Sequence, residues 1–513
     1  MQDKSRNPRG SMQGHLFIVD GDIMQLSCDA WLLPSDADGW VTRRFASALG
    51  LTDETRLDLG PWPPDGMILH IEGTDSEPDI WIGDVGRQGL TDFSHYSERA
   101  VAFVERATSR VRERRPGMSR RPLLALPVIG SAAGGARTRR GELLETLIRA
   151  VAADLESREC DVALVCFGPV MLSAAKSAAR AVRSKSPSLS ALGFDELDDK
   201  LQEHARQLGQ LAAEGKLVVF FGAGASIDAG IPGWDDLLRR VAERAGMTSD
   251  WQTLADFDPR DKATIIRDHS PDNFNRFVAE ETDLSRYGLL HALLASLPTT
   301  EHVTTNFDVL FEKAASTAGR RVAVIPGEEA RFGERWLLKL HGTLGSDIVF
   351  TRSDYISSTS SHSALRGIVQ AMLLTRHMFF VGYSLRDDDF HQLVHEVRTA
   401  LGDERRQLGT ALLVRDNEHL STLWPEINVV STGGGDDAGR RVALFLDLMA
   451  SAAASSITFV ADETFGKLRS DHETRLNDVV RELAALHAEF TTENGQDSWP
   501  EVARFLDHFG EHR

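Results

Sequence analysis

The stretch KLVVFFGAGASIDAGIPGWDDLL, Lys216 to Leu238, constrains this chain more than any other. Leu217, Val218, Val219, Phe220 and Phe221 form an unbroken apolar run, rich in β-branched and aromatic residues and ended by glycine. That is the pattern of a buried strand. Further apolar strands with helical stretches between most of them predict an α/β unit around it. The strand leads straight into Gly222-Ala223-Gly224-Ala225-Ser226, and a helix is expected soon after. Such a turn aims backbone N–H groups and the positive end of a helix dipole at a pyrophosphate. Gly222 and Gly224 would let the backbone turn tightly and approach a ligand closely. A purely structural glycine turn fits the same residues. The frame also departs from an ordinary dehydrogenase. Gly230 falls too late for G-x-G-x-x-G, and helix, with Glu243 in VAERAG, occupies the place of the second strand and its acidic end.

Three further stretches place polar residues at the end of an apolar strand. HVTTNFD offers Thr304, Thr305, Asn306 and Asp308; WLLKLHG offers His341 before Gly342; HMFFVGYSLRDDDF offers Gly382, Ser384 and Asp387. In open α/β sheets ligands bind beyond the carboxyl ends of the strands, so these groups and the glycine loop are expected to converge there. Singly, each has a plainer role: Asp308 and Asp387 as helix N-caps, Asn306 as a turn residue, His341 as a core histidine.

The 513 residues suggest two to four domains. The leader 1–13 is polar and aperiodic, and Pro8-Arg9-Gly10-Ser11-Met12 resembles a protease-tag scar; a disordered leader or tag is expected. A first α/β domain is expected over 14–185. Its strands would be HLFIVDGD, DAWLLP, MILHIEG and DIWIGDV (these two as a hairpin), RRPLLALPVIG and DVALVCFG. Its helices would lie near 41–50, 94–114 and 140–157, with a basic amphipathic helix in SAAKSAARAVRSK, most simply a solvated face. A Ser/Pro-rich linker follows at 186–195. The second domain, 196–450, is mostly helical to 296. Its strands would be KLVVFFG, EHVTTN, RVAVIPG, WLLKLHG, HMFFVGY and GTALLVR. Residues 451–513 are expected to be helical and acidic, an assembly surface or a plain capping bundle.

Asp plus Glu number 76 against 57 Lys plus Arg, a formal charge of -19, which argues against a chain that coats nucleic acid. No apolar run approaches the roughly 18 residues of a membrane helix. Three cysteines cannot form a disulfide framework, so a cytoplasmic location is expected.

The set GAGAS-x3-GIPGW, TTNFD, KLHG and GYSLRDDDF, in that order over about 200–430, resembles the sirtuin-like NAD-consuming domains of bacterial antiphage defence proteins. The resemblance implies a Rossmann-type sheet with NAD across its strand ends, Asn306 and His341 being catalytic. Gly222, Ala223, Gly224, Ala225 and Ser226 would contact diphosphate and riboses, Gly382 and Ser384 the adenosine side, with Thr305 and Asp308 beside Asn306. Ile231, Pro232 and Trp234 would form an apolar lid near nicotinamide. The deacetylase branch carries a four-cysteine zinc module, whereas Cys28, Cys160 and Cys166 all precede residue 200. Its GIPDFR loop is altered as well, with Trp234 after Pro232-Gly233. NAD hydrolysis without a metal is therefore the expected activity. The resemblance also implies gating by assembly as a homo-oligomer, by a nucleotide, or by a translocase ATPase, an Argonaute-like protein or a phage component. Lacking a G-x-x-x-x-G-K-S/T loop, this chain would need any ATPase as a separate polypeptide. An ADP-ribosyltransferase and a non-catalytic NAD or ADP-ribose module stand as alternatives.

FIVDGDIMQLSCDAWLLPSDADG, with Gly21-Asp22-Ile23, Asp29-Ala30 and Pro34, resembles a macrodomain, a fold that binds ADP-ribose. LPVIGSAAGGARTRRGELLETL resembles that family's phosphate loop. Asp22, with Ile23, would meet an adenine-like base, and Gly130, Ser131, Gly134 and Gly135 would cradle phosphates. Ser35-Asp36 replaces the family's asparagine after the second strand, which counts against ADP-ribose hydrolysis. A degenerate scaffold, an oligomerisation surface and a nucleotide sensor remain open.

Overall fold

Two sheets carry the fold, one in each of two compact units. The computed structural model describes residues 13–513 apart from 37, 47–48, 50–65, 72–77, 86–91, 133–134, 250, 332, 346–347, 403–405, 495–501, 504, 507–508 and 510–513. The expected leader, save Gln13, and Gly134 lie outside the described residues.

The first unit comprises residues up to 19, 28–195 and 455 onward. Its strands are β1 (Leu16–Asp20), β2 (Ala30–Ser35), β3 (Ile68–Ile71), β4 (Asp79–Asp84), β5 (Leu123–Pro127) and β6 (Asp161–Cys166), in the order β1-β6-β5-β2-β4-β3. β3 pairs antiparallel with β4, while β2 runs parallel to β4 and β5, and β5 to β6, so the sheet is mixed. Helices Ser94–Arg114, Arg140–Leu155 and Pro169–Lys185 bury Phe103, Leu147 and Ala175 against it. Phe459 and Phe465, from the C-terminal segment, join that core. Buried Asp29 accepts from Arg115 at 2.7 Å, from Arg120 at 2.7 and 2.8 Å, and from the Leu123 N–H, which fixes the start of β2.

The second unit comprises residues 20–27 and 196–454. Its strands are β7 (Leu217–Phe221), β8 (Glu301–Thr304), β9 (Val322–Ile325), β10 (Arg335–Lys339), β11 (His377–Val381), β12 (Gly409–Leu413) and β13 (Ile427–Ser431), in the order β13-β12-β11-β7-β8-β10-β9. All these neighbours are parallel. The apolar run from Leu217 to Phe221 is fully buried at the centre of the sheet. Burial of Phe220 and Phe221 contributes about 1.5–3 kcal/mol each. From β7 the chain builds outward through β8 on one side, then returns at β11 on the other. That reversal is a topological switch point, where the loops leaving adjacent strands diverge and open a crevice. β13 was not among the expected strands. INVVS is a five-residue edge strand, half-buried at three positions, so its apolar signal is weak.

A helical layer, Trp234–Arg244, Pro259–His269 and Phe274–Thr282, follows the glycine loop and encloses its own core of Leu238, Val241, Ile266 and Phe274. No helix among the described residues is long and apolar enough to cross a membrane.

Candidate functional site

Four loops leave the carboxyl ends of β7, β8, β10 and β11, and each carries one of the motifs singled out above. Two of the loops touch through glycine backbone. The Gly222 N–H donates to the Val381 carbonyl at 3.1 Å and the Gly224 N–H to the Gly382 carbonyl at 2.9 Å. A Cβ on Gly224 would lie 2.8 Å from Gly382 Cα, and one on Gly382 would lie 2.4 Å from the Ala225 nitrogen. Gly382 also sits at φ +62°, where glycine alone is unstrained. Leu385, three residues on, is the one non-glycine residue with positive φ among the described residues, at +57°. Its left-handed backbone costs roughly 1–2 kcal/mol and is held by a side chain that is almost wholly buried.

Beneath this contact lies a buried polar network. The Ser226 hydroxyl donates to Asp308 Oδ2 at 2.9 Å and lies 3.3 Å from His291 Nε2. Asn306 Nδ2 donates to Ser226 Oγ at 3.1 Å and to the Gly222 carbonyl at 3.2 Å. Thr304 Oγ1 donates to the Phe221 carbonyl at 2.8 Å and accepts from the Asn306 N–H at 3.0 Å, which locks the start of the turn. Asp308 Oδ1 accepts from the Leu310 N–H at 3.0 Å, at the entry to helix Leu310–Thr317. The N-cap position of that helix is Val309, not Asp308 as expected; Asp308 closes a turn just before the helix and orients Ser226. Asp228 accepts from the Leu290 N–H at 2.8 Å, and burial pushes its carboxyl above the usual carboxylate range.

His341 lies two residues beyond Lys339, whose register partner is Thr304, and Asn306 lies two residues beyond Thr304. The two residues therefore sit at equivalent points past adjacent strands. His341 is buried; its Nε2 is 3.5 Å from Asp387 Oδ2, and its ring meets Tyr355 edge-on at 5.2 Å. The Asp387 carboxylate can steady the orientation of the imidazole. Thr305 and Gly382 are half-buried and Ser384 is exposed. Ile231 is buried and Pro232 half-buried. Trp234 packs on Phe350 at 4.4 Å with the rings tilted, and Phe350 packs on Phe307 at 5.5 Å, so this tryptophan is joined to the Asn306 turn through two aromatic rings.

The residues drawn from the macrodomain resemblance fall in both units. Asp22 and Ile23 belong to the second, where the Asp22 N–H donates to Tyr287 Oη at 3.0 Å and its carboxylate accepts from the Met24 N–H. Gly130, Ser131 and Gly135 belong to the first. Gly130 packs on the Tyr96 ring, and the Ser131 hydroxyl donates to the Val128 carbonyl at 2.6 Å. Among the described residues no three His, Cys, Asp or Glu side chains come together as a metal site.

His291, Asp228 and Lys339 were not singled out from the sequence. Lys339 stands in the quoted KLHG, next but one to His341, and a lysine inside an apolar strand was the available signal. His291 lies in an all-apolar helix, Leu289–Ser296, where a lone histidine reads as core.

A family profile described as SIR2-like domain matches residues 300–431, the segment carrying Asn306, His341 and Gly382. The NAD(+) hydrolase ThsA of Enterococcus faecium is 27% identical over 216 residues, 39% of this chain and 44% of that protein. Defense-associated sirtuin 2 of Bacillus subtilis is 24% identical over 212 residues, 39% of this chain and 21% of its own length. The NAD(+) hydrolase ThsA of Bacillus cereus (strain MSX-D12) is 26% identical over 220 residues, 38% and 42% of the two chains. The chain spans less than half the length of each of these relatives.

Proposed function

We infer that this chain, which carries a SIR2-like domain, is an NAD glycohydrolase that releases nicotinamide and ADP-ribose as an effector of bacterial antiphage defence. The observation that carries this is the pairing of Asn306 and His341 past adjacent strands β8 and β10, under a glycine loop at a topological switch point. Relatives named NAD(+) hydrolase and defense-associated sirtuin support it.

Cleavage of the nicotinamide–ribose bond passes through an oxocarbenium-like state, so the site must hold the ribose and deliver water to one face. Asn306 Nδ2 is engaged by Gly222 and Ser226, which leaves the side-chain oxygen to accept from a ribose hydroxyl or the attacking water. His341, backed by Asp387, takes the proton from that hydroxyl or water. Gly222 to Ser226 turn the chain beneath the diphosphate, while Gly382 and Ser384 flank the adenosine end. Ile231, Pro232 and Trp234 shield the nicotinamide end. We place the enzyme in the cytoplasm, under control by self-assembly or a separate activating partner, since unrestrained NAD hydrolysis is lethal to its own cell.

The test follows nicotinamide and ADP-ribose from NAD labelled in each half, with parallel measurement of NAD in phage-infected cells. Wild type should consume NAD on infection, and Asn306→Ala and His341→Ala should each abolish nicotinamide release while remaining folded. Full activity in both variants, or NAD that persists through a successful defence response, would overturn the assignment.

A further inference from the structure

Lys339 is the last residue of β10, in a chain position that usually holds an apolar side chain, and only about 1% of its surface is exposed. Its ammonium reaches Glu312 Oε1 at 2.7 Å, the Asp308 carbonyl at 2.5 Å and Thr343 Oγ1 at 3.2 Å, with the Phe307 carbonyl at 3.4 Å. An ammonium has three protons to give, so the first three contacts use them all and the Phe307 carbonyl shares one. Those partners belong to three separate pieces of chain: the turn after β8, the helix Leu310–Thr317 and the loop after β10.

We propose that Lys339 is a positioning residue for the reaction: it fixes the Asn306 turn relative to the β10 end that carries His341. This rests on the NAD-hydrolysis reading above. The turn is held at its start by Thr304 Oγ1 and at the Asn306 side chain by Gly222 and Ser226. Its last two carbonyls, Phe307 and Asp308, are held from below by Lys339. The same strand continues for two residues into His341, so one side chain sets the spacing of both groups. A charge buried merely to neutralise Glu312 would not need the two carbonyls. Misplacement of a reacting group by about 1 Å from a distant change can cost on the order of 10²-fold in rate.

The experiment compares wild type, Lys339→Met, the double variant Lys339→Met with Glu312→Leu, and Lys339→Arg. Each is assayed for melting temperature, for kcat and KM in nicotinamide release, and for amide hydrogen exchange over residues 305–310. The single variant strands a carboxylate and should melt early. The double variant removes both charges and should melt near wild type, yet its turn carbonyls stay without a donor. We expect kcat to fall at least about 30-fold in the double variant with KM within about threefold, and exchange at 305–310 to quicken. If neither methionine variant folds, Lys339→Arg decides. It keeps a charge for Glu312, but its larger planar fork cannot reproduce the ammonium's geometry in so closed a space, which shifts the Asn306 turn, so kcat should fall in a folded protein. A double or arginine variant with wild-type kcat overturns the proposal, as does a lost kcat with unchanged exchange. If wild type releases no nicotinamide and NAD also persists through a successful defence response, the hydrolysis reading fails, and exchange at 305–310 alone then judges the positioning claim, unchanged exchange sinking it.

Discussion

Gly382→Ala is the sharpest probe of the loop contact on which the site is built. Two costs add. An alanine at φ +62° pays the left-handed penalty of roughly 1–2 kcal/mol. Its Cβ would also stand 2.4 Å from the Ala225 nitrogen and 2.8 Å from the Gly224 carbonyl carbon. Both neighbours are backbone, so no rotamer change relieves the overlap; the loops after β7 and β11 must part by about 1 Å to regain ordinary contact. Parting them stretches the 2.9 Å bond from the Gly224 N–H to the Gly382 carbonyl, worth about 1 kcal/mol net. A destabilisation of about 2–3 kcal/mol follows. Gly367→Ala is the control: that exposed glycine lies inside helix Ser363–Thr375 with nothing within 4 Å of a new Cβ, and should gain about 0.5–1 kcal/mol. Urea unfolding of the two variants measures both, and nicotinamide release should fall with Gly382→Ala alone. A Gly382→Ala protein within about 0.5 kcal/mol of wild type would show that the loops do not meet as described.

Asp308→Ala removes the acceptor of both the Ser226 hydroxyl and the Leu310 N–H, leaving two buried donors unmet, and should cost roughly 2–5 kcal/mol in urea unfolding. Asp228→Asn should raise the melting temperature at pH 7. The raised carboxyl pKa means the native state keeps a proton that the unfolded chain has lost, so stability falls as pH rises through that window and the burial cost persists above it. Histidine linkage runs the other way. Burial, with Arg335 nearby, holds His302 well below its usual value, and burial lowers His377. Below about pH 6.5 the unfolded chain takes protons these native histidines refuse, so stability is lost as pH falls, at up to about 1.4 kcal/mol per pH unit for each. Unfolding free energies that stay flat from pH 7 to 5.5 would contradict this, and His377→Gln should make the slope shallower.

The parts of the fold that could be read from sequence are those where one physical requirement selects the residues. A strand buried on both faces admits only runs such as LVVFF and HMFFV, which is why the α/β class was legible. INVVS was missed because an edge strand needs apolar residues on one side only. The glycine loop, TTNFD, KLHG and GYSL were visible as polar groups closing apolar strands, and the structure does place them at neighbouring strand ends. Their bonding partners were not visible. His291 is 65 residues from Ser226, and Glu312 is 27 residues from Lys339, so neither pair leaves a local pattern. Trp234 shows the same limit: its position after Pro232-Gly233 suggested a lid, but its ring contact with Phe350 depends on chain folded from a distant segment.

The buried polar set itself argues for chemistry at these strand ends. Ser226, Asn306, Asp308, His291 and Lys339 are all buried within one unit. A buried ion pair such as Lys339–Glu312 contributes little net stability, and well-packed apolar residues of similar volume would often hold the fold as firmly or better. Stability therefore does not account for so many polar groups in one place. Geometric definition does. Ser226, Asn306, Asp308 and Lys339 each bond a group in, or within two residues of, Gly222, Asn306 or Asp308, and together they hold the turn after β8. A site that must hold a ribose while one of its bonds breaks requires that rigidity. The same residues should therefore divide into two groups on mutation. Removing Lys339 together with Glu312 should leave the fold near wild type while slowing turnover, whereas changes at Asp308 should damage both, because Asp308 also holds the buried Leu310 N–H.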